Sequence, residues 1–236
     1  MSRKKREALK EQIRLACGGE DIAKEIYITR QAGDIERFTE EVLSRGSDVR
    51  IYACGGDGTL NILANCAYGH DNAEIGVIPY GTGNDFIKNF TNYNYFSDIE
   101  AQIKGTAIKT DCISFDDQIA VNMINIGFDS AVVEKSEKIK KVPFAKGPAA
   151  YIIGVAAVLI KRPLAEMEIT FDNDENLNGK FLLCAIANGS YCGGGFNALS
   201  KAVIDDGYID IAAVYPLSRT KFISIVGRYK KGTLLD

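Results

Sequence analysis

A chain of 236 residues that is 46% hydrophobic and 25% charged lies within the globular range and can bury a core in one large domain or two small ones. Its formal net charge of −3 argues against a dedicated nucleic-acid binder, and no apolar run is long enough to span a bilayer. One histidine, His70, disfavours a histidine zinc site or a Ser-His-Asp triad. Six scattered cysteines with no Cys-x-x-Cys pair read as reduced core residues, which places the chain in the cytoplasm.

In chain order, residues 2–17 read as a helix ended by Gly18, and Ile26-Tyr27-Ile28 reads as a strand followed directly by Thr29. Asp34 is expected to cap a helix that turns Ile35, Phe38, Val42 and Leu43 inward before Gly46 stops it. Val49 to Ala53 is a buried strand that breaks into Gly55, Gly56 and Gly58, after which Leu60, Ile62, Leu63 and Ala64 follow at helical spacing. The exposed amides and positive dipole of such a helix start make an anion site, with phosphate its usual guest. A second unit repeats the pattern: Ile75 to Pro79 is apolar and runs into Gly81-Thr82-Gly83-Asn84-Asp85-Phe86. Either turn alone is a weak signal, but two so close in sequence point to neighbouring strand ends sharing one ligand. This alternation is that of a doubly wound α/β domain.

Beyond a boundary near Lys104–Thr110 the texture changes to strands and turns: Cys112–Phe115, Ile119–Ile126, Met167–Phe171, Phe181–Ala187 and Ile209–Val214. Residues 1–106 are thus expected to form the α/β domain and 107–236 a mainly antiparallel β domain, closed by a helix over Leu217–Tyr229. A basic stretch, Lys135–Lys146, precedes the apolar Ala149–Ile160. At twelve residues this segment is too short to cross a membrane, so it is either a helix buried in the protein or a guide for lipid.

The pair GGDGT (Gly55–Thr59) and GTGNDF (Gly81–Phe86) resembles the catalytic-domain signature of the diacylglycerol kinase and related lipid kinase family. That family shares its first motif with NAD kinases and, more loosely, with phosphofructokinases. The Asn-Glu and Thr-Gly-Ser-Thr signature of NAD kinases is absent here. The resemblance implies a Rossmann-like nucleotide domain followed by a β-sandwich, ATP and Mg2+ as cofactors, and transfer of the γ-phosphate to the hydroxyl of diacylglycerol. It also implies a lipid partner at the membrane surface, with no nucleic acid and no transmembrane segment, and it leaves a homodimer open. Two other readings stand beside it: a soluble NAD kinase-like enzyme, and an inactive nucleotide- or lipid-binding module.

The implied nucleotide contacts are Thr29, Gly55, Gly56, Asp57, Gly58, Thr59, Leu60, Asn61, Thr82 and Asn84, with Asp57 and Asp85 as the catalytic carboxylates. A carboxylate inside a phosphate turn repels its guest unless a metal lies between them, which gives Asp57 a natural role toward magnesium. The family's Ala-x-x-Asp-Gly-x-x-Asp stretch has its match within Ala198–Ile211, and the match puts a magnesium ion on Asp206 and the carbonyls of Val203 and Tyr208. The family's Asn-Pro-x-Ser-Gly loop has only Ser2 as a remnant here, and its Asp-Gly-Glu motif is not found. A chain clipped at both ends, with slow turnover, is therefore expected.

Overall fold

The computed structural model describes residues 3–18, 24–127 and 164–233. They form two compact units. The first runs to Asn122 and takes back two later segments, Tyr191–Gly195 and Val203–Gly207; of the described residues, the second holds 123–127, 164–190, 196–202 and 208–233. The basic Lys135–Lys146 stretch and the apolar Ala149–Ile160 segment lie outside the described residues.

In the first unit, α1 (Arg3–Ala16) buries Leu9 and carries Glu7–Lys10 and Glu11–Arg14 ion pairs on its exposed side. Helix α2 (Asp34–Leu43) is followed by β1 (Val49–Gly55), α3 (Asp57–Ala67) and β2 (Ala73–Pro79). Leu60, Leu63, Ala64 and Ala67 of α3 recur at three- and four-residue spacing, so one face of the helix is buried. β1 and β2 pair in parallel, in register from Val49↔Ala73 to Gly55↔Pro79. The two glycine turns therefore leave neighbouring strands at the same end.

A core of Ala53, Leu60, Leu63, Val77, Phe86 and Ile87 lies under those turns, with Phe90 and Phe96 packed against it. Phe86, Phe90 and Phe96 meet edge to face, with ring centroids 5.7 and 4.9 Å apart. Two short 3₁₀ turns, Phe86–Asn89 and Tyr93–Ser97, lead to α4 (Ile99–Lys104) and the hairpin of β3 (Ile113–Phe115) and β4 (Gln118–Ala120). Gln102 of α4 donates from Nε2 to the carbonyls of Val77 and Phe96, so a side chain satisfies part of β2. Arg50 of β1 closes the C-terminal end of α4, donating from Nη1 to the carbonyls of Gln102, Ile103 and Gly105 at 3.1, 3.2 and 2.9 Å. The short strand β9 (Tyr191–Cys192) also belongs to this unit.

The second unit is antiparallel. β8 (Leu183–Ala187) is the central strand between β5 (Met123–Gly127) and β11 (Asp210–Val214). Successive residues of LCAIA are buried, so both of its faces are covered and the strand is apolar rather than alternating. β6 (Ala165–Thr170) and β7 (Asn176–Phe181) form a hairpin whose turn places Asp174 at φ 64. β10 (Phe196–Asn197) and α5 (Arg219–Lys231) complete the unit, with α5 capped by the Ser218 hydroxyl and ended by left-handed Gly232.

Three sequence expectations need correction. Residues 26–28 are not a strand; Tyr27 instead stacks on Phe38 of α2, with ring centroids 4.4 Å apart, and its hydroxyl accepts from Arg37. Packing onto a helix has replaced a backbone ladder. Asp34 does not cap α2: Gly33 holds that position at φ 85, and the Asp34 carboxylate accepts from the upstream amides of Arg30 and Gln31 at 2.6 and 3.1 Å. The run Ile119–Ile126 is two strands. At Val121 and Asn122 the polar groups bond outward, the Val121 amide to Asn61 Oδ1 and the Asn122 side chain to Asn89 and the Tyr191 carbonyl, so the ladder is interrupted there.

Candidate functional site

The site grows from the contact between the two glycine turns. The Gly55 carbonyl accepts from both the Tyr80 and Gly81 amides, at 2.8 and 3.0 Å, which joins the end of β1 to the chain just beyond β2. Gly56 and Gly81 then meet backbone to backbone: a Cβ on Gly56 would lie 3.0 Å from the Gly81 Cα, and one on Gly81 would fall 2.6 Å from Asn84 Oδ1. Gly56 is extended, so approach rather than backbone conformation is what requires glycine there.

Helix α3 starts at Asp57, with no side chain capping its first turn. Leu60 donates its amide to the Gly56 carbonyl at 3.1 Å and is buried in the core, so the early amides of Asp57, Gly58 and Thr59 precede the helical ladder. Gly58 is exposed, with nothing within 4 Å of the point a Cβ would occupy. The Thr59 side chain packs on Gly55, filling the place of a Cβ there. The result is a cradle of bare backbone at a helix N-terminus, whose shape and polarity suit phosphate and thus the triphosphate of ATP.

Asp57 lies within this cradle, its Oδ1 accepting from the Phe86 amide at 3.0 Å. Its Oδ2 and Asp85 Oδ2 face one point above Gly83, where a Cβ would be 3.0 and 3.3 Å from them. Gly83 is thus a site residue that sequence reasoning passed over, although its place between two carboxylate-bearing motifs was a visible signal. Asp85 is buried, with Lys88 Nζ 2.6 Å from its Oδ1 and the Gly194 amide 2.7 Å from its Oδ2.

The remaining expected residues divide clearly. Asn84, at φ 50, closes the second turn on itself: Oδ1 accepts from the Gly81 amide and Nδ2 donates to the Gly81 carbonyl. Asn61 points Oδ1 at Val121, toward the stretch after β4. Thr82 is exposed on the second turn. Thr29 is exposed beside the Arg30–Asp34 turn, whose shape the Asp34 carboxylate holds. The Arg30 and Gln31 amides and the Arg37 guanidinium hold that carboxyl below its usual range. Cys54, next to the first turn, has its thiol pushed up by burial and stays neutral.

Val203 and Asp206 lie in the exposed turn that returns to the first unit, while Tyr208 opens the next segment of the second. That turn is anchored by Asp111, whose amide donates to the Ile204 carbonyl and whose Oδ2 accepts from the Gly207 amide, both at 2.7 Å. An exposed turn offering a carboxylate and carbonyl oxygens suits a hard cation such as Mg2+. Among the described residues, no group of three or more His, Cys, Asp or Glu side chains could hold a metal.

Together these features define a class: an α/β domain of Rossmann-like build, with an anion cradle at adjacent strand ends, joined to an antiparallel β domain. The family model of the diacylglycerol kinase catalytic domain matches residues 2–115, and that of the YegS C-terminal NAD kinase beta sandwich-like domain matches 122–236. The chain belongs to this family of YegS-like lipid kinases. It is 31% identical over 214 residues to the "Probable lipid kinase YegS-like" of Pseudomonas aeruginosa (strain UCBPP-PA14), covering 88% of this chain and 68% of that protein. Its counterpart in Pseudomonas fluorescens (strain Pf0-1) is 32% identical with the same coverage. In fold, the chain resembles a diacylglycerol kinase from Bacillus anthracis str. Sterne with a TM-score of 0.66 at 24% identity, over 86% of this chain and 66% of that one. The chain thus spans about two thirds of the length of these proteins.

Proposed function

We propose that this chain binds ATP with Mg2+ in the cradle between the two glycine turns and transfers the γ-phosphate to the hydroxyl of a lipid, diacylglycerol in the first instance, to give phosphatidic acid. The observation that carries the reading is the meeting of Gly56 and Gly81, which sets the first-turn amides of α3 beside the close-packed backbone of the second turn. Phosphoryl transfer asks for this kind of positioning and charge neutralisation more than for covalent help.

In this reading Gly55, Gly56, Gly58 and Thr59 hold the phosphates, with Thr82 and Asn84 lining the second turn and Thr29 meeting the nucleotide. Asp57 is the carboxylate nearest the phosphates. Mg2+ would neutralise phosphate charge beside Asp57, and a second ion would brace the turn at Val203, Asp206 and Tyr208. A lipid acceptor is supported by the relatives' being named probable lipid kinases and by the basic Lys135–Lys146 and apolar Ala149–Ile160 sequence, which a soluble acceptor would not need. Among the described residues no helix is long and apolar enough to cross a membrane, and attachment at the surface fits such an acceptor.

The deciding experiment incubates the full-length protein with labelled ATP, Mg2+, mixed diacylglycerol micelles and, in parallel, NAD. Label in phosphatidic acid is expected. Label in NADP with none in phosphatidic acid would overturn the lipid reading, and ATP binding without transfer to either would point to a nucleotide-binding module.

A further inference from the structure

The second glycine turn carries a connection that the cradle itself does not require. Asp85 is 5% exposed, and a carboxylate so buried needs partners for its charge. One is local: Lys88, three residues on, sits 2.6 Å from Oδ1. The other comes from 109 residues away, where the Gly194 amide donates to Oδ2 at 2.7 Å. Gly194 is the middle of three consecutive glycines with positive φ, 59° at Gly193, 84° at Gly194 and 110° at Gly195. Residues with a Cβ avoid such a run, and the loop has no side chains of its own with which to hold a shape. The Gly195 amide closes the turn on the Cys192 carbonyl at 3.2 Å, and the Asp85 carboxylate adds a hold from outside the loop.

Lys88 adds to that outside hold. A Cβ on Gly195 would come within 3.4 Å of Lys88 Nζ, so the ammonium sits directly against the loop. A second tie lies beside it: Asn122 donates to the Tyr191 carbonyl at 2.7 Å and accepts from Asn89 at 3.1 Å. The carboxylate that holds the loop shares the space above Gly83 with Asp57. Gly193 and Gly194 are themselves exposed. A bare stretch of backbone is thus fastened next to the carboxylates, where a side chain would limit the approach of a substrate.

We propose that Lys88 and Asp85 form a latch holding Gly193–Gly195 against the second glycine turn, and that this loop is a wall of the phosphoryl-transfer site. This rests on the kinase reading above. Lys88 and Asp85 are then positioning residues, and Asp85, with an oxygen engaged on each side, serves the loop rather than acting as the base. Hydrogen bonds to charged groups are among the stronger ones, so breaking the latch should be felt in turnover.

The test compares the full-length protein with Lys88→Met and Lys88→Arg. Lys88→Met should speed hydrogen exchange at the Gly193–Gly195 amides and lower kcat by about tenfold, with ATP affinity by calorimetry unchanged within about twofold. Lys88→Arg should restore both exchange protection and turnover, which a general loss of stability would not explain. Unchanged exchange in Lys88→Met would overturn the latch. Faster exchange with full kcat would overturn the loop's place in the site. A wild-type protein that binds no ATP would overturn the kinase reading and the loop's catalytic role together, and the exchange data would still decide the latch.

Discussion

Substituting Gly81 by alanine tests the idea that two backbones in contact make the site. The added Cβ would lie 2.6 Å from Asn84 Oδ1 and 3.1 Å from the Gly56 amide nitrogen, and it would crowd the Gly56 Cα as well. Ordinary contact lies at about 3.5–4.0 Å, so the two turns must part by about 1 Å. The cost of overpacking is about 1–3 kcal/mol, and for a chain of this size the melting temperature should fall by a few degrees with the fold kept. The larger effect falls on function. Moving the donors by about 1 Å spoils charge-assisted hydrogen bonds worth about 1.5–3 kcal/mol each, so ATP–Mg affinity should drop about 10–100-fold. Calorimetry with a parallel thermal melt reads both. Gly58→Ala is the companion: its Cβ meets only open space in the protein, so stability should be retained, and any lost ATP binding reports a ligand filling that space. If Gly81→Ala binds ATP as the wild type does and melts at the same temperature, the backbone contact is not the phosphate site.

Three further outcomes are expected. Asp57→Asn keeps an oxygen to accept from the Phe86 amide but loses the charge, so the fold should persist while turnover falls about 10²–10⁴-fold; unimpaired turnover would remove Asp57 from the chemistry. Arg50→Met strips three carbonyl partners from the end of α4 and should lower stability by about 1.5–3 kcal/mol in a urea titration, and an unmoved midpoint would show that water replaces the guanidinium without loss. The depressed Asp34 carboxyl should stabilise the fold fully above its ordinary value of 3.8 and lose that contribution as pH falls through its lower folded value. Asp34→Asn should therefore be less stable at pH 7 with a flatter acid limb, and urea midpoints from pH 7 to pH 3 running parallel to the wild type would contradict this.

What could be read from the sequence was what short-range chemistry controls. Glycines after apolar runs marked both turns, and the parallel register of β1 and β2 placed them together as expected. Asp57 and Asp85 were recognisable because their motifs are contiguous. What could not be read was settled by partners far along the chain. The bond from Gly194 to Asp85 spans 109 residues, and the one from Asn65 to Ile119, which ties α3 to β4, spans 54. Nothing in the local pattern around Tyr191–Gly195 or Val203–Gly207 shows that these segments return to the first unit. Local rules also failed where a side chain outbid the backbone: Tyr27 exchanged a strand for a place on Phe38, and Asp34 turned from the helix it begins to the amides before it.

The pairing of β1 with β2 also constrains how this chain can change. Tyr52 and Gly76 are directly opposite in register, and the tyrosine ring lies where a side chain at 76 would stand, with Cγ 3.2 Å from the absent Cβ and other ring atoms nearer still. The ring also reaches past the strand, its hydroxyl donating to the Gln102 carbonyl at 3.2 Å. Substitutions at these two positions are therefore ordered in time. A smaller residue at 52 opens the way to alanine at 76, whereas alanine first meets the ring and is disfavoured. A lineage that crossed to the alternative pair would carry a barrier behind it, because restoring the tyrosine requires the glycine to return beforehand.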